Sequence, residues 1–217
     1  MKLFVTKSLG LWVVLFLLGS TTAWGMTTQE IMEAYSKSYN YERLQDFGNA
    51  VNSLAAVAQG YPTGYTVNLR LGWLYYLKQN YADSLHHYEI AMKSAPSSIE
   101  ARLGYILPLM VQGRYDRVEA VAYQIMETDR YNYYANLKLA VALRMEKKYQ
   151  AAEKDLQQML TFYPVDVTLL TELGLVREAE GKVDAAAAIF TDILILDPAN
   201  PAANTRLGKT SQPKKTE

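Results

Sequence analysis

The sequence predicts an all-α chain in which five helix–turn–helix units stack into an α-α superhelix. Three observations predict it, and all three are periodic. Proline stands at Pro62, Pro96, Pro164 and Pro198 on a 34-residue grid, with Arg130 at the one missed step. Proline has no N–H and cannot continue a helix, so each marks the end of a unit's second helix. On the same grid, Ser84 repeats as Ala50, Val118, Ala152 and Ala186. Gly72 repeats as Ser38, Ile106, Ala140, Gly174 and Gly208. Small side chains are what two antiparallel helices need where their axes cross, about 8–10 Å apart.

Taken in order, residues 1–25 read as a secretory signal peptide. Lys2 and Lys7 form a charged start, Leu9 to Leu18 an apolar run, and Ala23-Trp24-Gly25 a small-residue cut site leaving Met26 first; a cut after Ala23 is the alternative. A membrane anchor needs about 20 apolar residues. The stretch from Leu3 to Leu18 is shorter and is interrupted by Thr6, Lys7 and Ser8. The membrane is therefore expected to be met only in transit. Periplasmic or secreted residence follows as the expectation, with the bacterial periplasm preferred.

The units are 31–64, 65–98, 99–132, 133–166 and 167–200, followed by a partial sixth, 201–209, that keeps Leu207-Gly208 in register. That fragment is expected as a short capping helix, which makes eleven main helices in all. It is too short to hold alone and must pack on the fifth unit. The polar tail 210–217 is expected to be disordered. Reversals are marked by Lys78-Gln79-Asn80, Gln112-Gly113-Arg114 and Glu180-Gly181-Lys182. Larger residues flank the crossings: Leu71, Leu139 and Leu173 in first helices, Tyr88, Leu156 and Phe190 in second helices.

Two units depart from the pattern. Unit 31–64 has Lys37 and Ser38 where leucine and glycine are usual, which suits an N-terminal cap. Unit 99–132 has Ile106 at a small place, Ala122 at a large one, Arg130 for proline, and Pro108 within its first helix. Pro108 is expected to kink that helix or delay its start, and Ala122 to make room for Ile106.

The order Leu71-Gly72, Tyr75, Lys78-Gln79-Asn80, Tyr81, Ser84, Tyr88, Ala91, Pro96 resembles the tetratricopeptide repeat, a 34-residue helix–turn–helix unit. The resemblance covers 31–200. It implies an α-α solenoid that holds a protein partner and does no catalysis.

Composition excludes several classes. The 22 basic and 22 acidic residues balance, and losing residues 1–25 leaves a net charge of −2. Outside Lys214-Lys215 there is no basic block, so no nucleic-acid face is expected. Cysteine is absent, which excludes disulfides, thiolate metal sites and an N-terminal lipidated cysteine. The two histidines, His86 and His87, are helix neighbours about 100° apart and cannot chelate one ion together. Asp83, Ser84 and His87 share a hydrolytic triad's residue types, but Ser84 fills a buried crossing. No catalytic residue, metal ligand or cofactor is expected.

The resemblance implies that first helices line a concave face with their second, fifth, ninth and twelfth residues. Those places bring Tyr35 and Tyr39, then Leu69, Trp73 and Tyr76, then Leu103, Leu107 and Met110. Tyr134, Leu137 and Val141 follow, with Arg70, Lys138 and Arg144 nearby and Glu172 and Glu178 making the last unit acidic. An apolar, tyrosine-rich stripe of this kind is expected to bind a partner. The rival expectation is that Leu69, Trp73 and Leu107 are buried by neighbouring first helices. Some members of the family clamp a chaperone's terminal carboxylate with asparagine at the ninth place. Here those places are Tyr39, Trp73, Leu107, Val141 and Leu175, so that activity is not expected.

The leading functional expectation is therefore a periplasmic adaptor in an envelope export or assembly system. A second is a self-associating module, possible as a homodimer, joined through Leu175, Ile189, Ile193 and Ile195 of the last unit. A third, an enzyme or metal carrier, would use His86 and His87.

Overall fold

The computed structural model describes residues 25–210. The expected signal peptide and residues 211–217 lie outside the described residues. Twelve helical segments follow one another, with no strand among the described residues. They are α1 (Thr28–Arg43), α2 (Phe47–Asn52), α3 (Ala55–Gly60), α4 (Tyr65–Leu77), α5 (Tyr81–Ser94) and α6 (Ile99–Val111). After these come α7 (Tyr115–Met126), α8 (Tyr133–Met145), α9 (Tyr149–Leu160), α10 (Val167–Ala179), α11 (Val183–Leu196) and α12 (Pro201–Thr210). α1 packs on α2, α2 and α3 on α4, and from α4 onward each helix packs on the next; first helices also touch first helices, as α4 does α6 and α6 does α8. The result is an all-α superhelix.

Each turn inside a unit is built the same way. Gln45, Gln79, Gly113, Lys147 and Gly181 all have positive φ, between 58° and 86°. Around Gln79, its N–H donates to the Tyr76 carbonyl and the Asn80 N–H to the Tyr75 carbonyl, both at 2.9 Å. The same two bonds recur in the other four units, so all five first helices end in a Schellman motif. Only two of the five residues are glycine.

The turns between units share a second device. Asn68 donates to the Pro62 and Gly64 carbonyls at 3.0 and 2.8 Å, and Asn136 to those of Arg130 and Asn132 at 3.1 and 2.8 Å. Asn204 does the same to Pro198 and Asn200, and the Arg102 guanidinium reaches the Pro96 and Ser98 carbonyls. What the turn uses is a backbone carbonyl, which is why Arg130 stands in for proline without loss.

At the crossings, size is complementary. Gly72 lies against the Tyr88 ring and Gly174 against that of Phe190. Ala140 goes with Leu156, and Ile106 with Ala122, at the same two places, all four buried. The inverted pair in unit 99–132 is thus accommodated in the core. Apolar burial is continuous from Leu85 to Val176, with separate clusters at the N-terminal end (Ala34 to Leu74) and around α11 and α12.

Two expectations need correction. The second helix of unit 31–64 is broken into α2 and α3, giving twelve segments where eleven were expected. The Ser53 hydroxyl donates to the Asn49 carbonyl at 2.8 Å, and the Leu54 N–H turns back to Val51 at 3.0 Å. Side-chain competition and a tightened turn end the helix there. Nor does Pro108 delay its helix: α6 starts at Ile99, capped by Ser98, and runs through Pro108 to Val111. The helix runs through the proline at the loss of the one bond that an N–H there would have made to the Gly104 carbonyl.

Candidate functional site: the face of the first helices

Three depressions run together along α1, α3, α4 and the start of α6. The first, about 290 Å³, is lined by Ile31, Tyr35, Val57, Tyr61, Gly64, Tyr65, Thr66 and Val67. Tyr35, Tyr65 and Thr66 also line the second, about 390 Å³, with Tyr39, Leu69, Arg70, Trp73 and Glu100. Tyr39, Arg70 and Trp73 carry on into the third, about 660 Å³, with Ser36, Asn40, Glu42 and Arg43. The shared residues make one trough, apolar at the start and charged at the end.

Its shape is held by a polar network. Arg70 pairs with Glu42, donates to the Ser38 hydroxyl at 3.2 Å and lies 3.9 Å from the centre of the Tyr39 ring. The Trp73 indole N–H donates to Glu42 at 2.7 Å, and its ring stacks on Tyr76 at 5.6 Å. The Tyr65 hydroxyl bonds Ser98 at 2.8 Å and donates to Glu100 at 3.1 Å. Burial pushes the Tyr35 and Tyr65 phenols above their ordinary value, so both keep the proton at neutral pH.

The Glu42–Arg70 pair belongs to a register. The twelfth residue of one first helix meets the sixth of the next, and Arg144–Glu172 and Glu178–Arg206 repeat the contact. The two central junctions carry Tyr76 with Gly104 and Met110 with Lys138 at those places. Lys138 has no ion pair among the described residues.

The expected stripe divides into two kinds of residue. Tyr39 and Tyr134 are 52% and 61% exposed. Leu69, Trp73, Leu103, Met110 and Leu137 are half-buried and lean on the core, and Tyr35 leans on the N-terminal cluster. Leu107, Tyr76, Lys138 and Arg144 are half-buried, and Arg70 is buried. Arg70 and Arg144 are therefore committed to partners within the chain. A separate depression of about 380 Å³ gathers Leu137, Lys138, Val141, Thr168, Thr171 and Glu172 nearer the C-terminal end.

Glu42 and Glu100 were missed because an apolar stripe was sought, and Tyr61 and Tyr65 because they lie outside the four positions that define it. Glu42 occupies a twelfth position, so the register alone marked it as groove-facing.

The histidine cluster has no hydrolytic geometry. Ser84 is buried and donates to the Gly72 carbonyl at 2.7 Å, and Asp83 is bound to Asn80. His87 Nδ1 lies 2.8 Å from Asn68 Oδ1, and its ring stacks on Tyr75. Burial, with His86 beside it, holds the His87 imidazole below its usual value against the pull of Asp83. Among the described residues no group of three or more His, Cys, Asp or Glu could hold a metal ion. No helix there is long and apolar enough to cross a membrane.

The expected self-association surface needs correction. Ile193 is fully buried in the cluster with Ala186, Phe190 and Ala203, because α12 covers it. Ile195, by contrast, is 76% exposed.

The fold is shared with solved structures of low sequence identity. A tetratricopeptide repeat protein from Parabacteroides merdae ATCC 43184 is 17% identical, with a TM-score of 0.74 over 83% of this chain and 75% of its own. MamA from Desulfovibrio magneticus RS-1 is 14% identical, with a TM-score of 0.72 over 81% and 99%. PilW, described as a widely conserved type IV pilus biogenesis factor, is 19% identical, with a TM-score of 0.69 over 84% and 88%. No curated protein matches the chain. The tetratricopeptide repeat family profile matches residues 35–98 and 137–201, on either side of irregular unit 99–132. The chain belongs to the tetratricopeptide repeat family.

Proposed function

We propose that this chain is a non-catalytic interaction scaffold whose first-helix face holds an extended or helical segment of a partner protein. The observation that carries the reading is the continuous trough from Ile31 to Trp73, walled by aromatic side chains and open to solvent. Aromatic residues are the most frequent anchors of interfaces. The exposed Tyr134 ring adds a second anchor further along the same face. The signal-like N-terminus supports a periplasmic or secreted setting. PilW, a pilus biogenesis factor of the same fold, supports a place in an envelope assembly or export system.

The test is partner capture from the envelope fraction, read beside the unfolding midpoint. Tyr39→Ala and Tyr134→Ala together are expected to reduce capture at least thirtyfold, the equivalent of about 2 kcal/mol, with stability lowered by no more than the lost Tyr39–Arg70 contact, about 1 kcal/mol. Full capture by the double variant would move the site off this face.

A second reading, self-association through the C-terminal end, is favoured by exposed Ile195 and Leu196 at the end of α11. A molecular mass that rises with concentration and falls back in Ile195→Lys would support it. A concentration-independent monomer would remove it.

A further inference from the structure

The trough has two chemically different ends, and the difference specifies what it takes. We propose that its N-terminal end is a bipartite subsite for a partner segment bearing one bulky apolar side chain and, a few residues away, an internal Asp or Glu. The apolar chain enters the pocket of Ile31, Tyr35, Tyr61 and Val67, and the carboxylate meets Arg43 beside the Glu42–Arg70 pair. This rests on the reading of the first-helix face as a partner-binding surface.

Volume sets the first half. About 290 Å³ lies at the lower edge of the range of ligand pockets and has room for one large side chain. Its walls are aliphatic carbons and tyrosine rings, with Val57 of α3 and Tyr61 just after it closing one side.

Charge sets the second half. Arg43 and Arg70 face one acid, Glu42, at the far end, so that end carries an excess positive charge. The Arg70 side chain is only 7% exposed and holds Glu42 and Ser38 from within the wall, so the exposed Arg43 beside it is the cation that an incoming carboxylate reaches. Glu100, on the wall nearer the apolar pocket, repels a carboxylate there and so fixes which end the acid takes. Arg70 lines both the second and the third depression, which a chain can follow past it, so the acid is a side chain.

Trp73 lines the trough and reports on it. In the full chain carrying Trp12→Phe and Trp24→Phe, Trp73 is the sole tryptophan. Its emission is titrated with hexapeptides blocked at both termini that hold one Phe and one Asp, two to four residues apart. The same peptides with Asp→Asn or Phe→Ala, and a Thr66→Phe protein whose new ring fills the shared part of the trough, complete the set. A saturable change with at least one Phe/Asp peptide is expected, weakened about tenfold or more by either peptide change and lost in Thr66→Phe. No saturable change, or equal binding of all three peptide types, overturns the proposal. Envelope capture separates its failure from that of the wider reading. If Thr66→Phe captures partner fully while Tyr134→Ala does not, the subsite falls and the binding face stands. If both capture fully, the face falls too.

Discussion

The ring of Tyr88 fills the space where a side chain at Gly104 would stand. A Cβ on Gly104 would lie 2.3 Å from Tyr88 Cε1, and one on Gly72 would lie 2.8 Å from Cγ. The ring of one second helix thus wedges between its own first helix and that of the next unit, joining the two.

Gly104→Ala is accordingly expected to destabilise by about 2 kcal/mol or more, the cost of overpacking, against the ~1 kcal/mol gain usual for Gly→Ala in a helix. Denaturant unfolding measures it. Adding Tyr88→Leu is expected to restore part of the loss, because the two positions are coupled.

Three of the five Schellman turns carry a side chain in the left-handed region, where non-glycine residues are strained. Gln45→Gly, Gln79→Gly and Lys147→Gly are each expected to stabilise by roughly 0.5–1 kcal/mol, net of the greater freedom of the unfolded chain. All three residues are exposed, so no packing is lost. Gly181→Ala meets no atom within 4 Å and is expected to cost about 1 kcal/mol through backbone strain alone. A rise in midpoint for the three and a fall for the fourth is the predicted pattern.

Fold class and register were legible because steric needs repeat with the units: proline at unit ends, small residues at crossings. The break at Ser53 was not, since it depends on one hydroxyl choosing its own backbone, which leaves no periodic mark. The polar network was legible only in part. Glu42 and Arg70, Arg144 and Glu172, and Glu178 and Arg206 stand 28 residues apart with opposite signs, a pattern invisible when each helix face is read alone. Reading Arg70 as a free groove cation missed its pairing for that reason. Ile193 was misplaced on the surface because a capping helix was expected on the fifth unit without its register against α11, and α12 covers Ile193 while leaving Ile195 out.

Asp155 in α9 supplies a pH-dependent test. Burial pushes its carboxyl up to about 6, and its Oδ2 has no hydrogen-bond partner. The folded chain therefore holds this proton more tightly than the unfolded chain, whose Asp titrates near 4. Between pH ~4 and ~6 the folded state binds more protons, so this group's contribution to stability falls as pH rises. Asp155→Asn is expected to stabilise at pH 7, on the order of 1 kcal/mol, and to lose the advantage at pH ~4. His87 acts oppositely: its depressed value removes stability as pH falls below ~6.5. Unfolding midpoints of Asp155→Asn and the parent across this range isolate the Asp155 share.

The central claim is that partners dock on the first-helix face, and photo-crosslinking inside the cell tests it most directly. A photoreactive residue replaces Tyr134 on that face, 61% exposed, or Tyr123 on second helix α7, 45% exposed. Both sites are accessible, so exposure alone does not decide between them. The account predicts a discrete adduct with a second protein from position 134 and none from position 123. An adduct from 123 with nothing from 134 would contradict it.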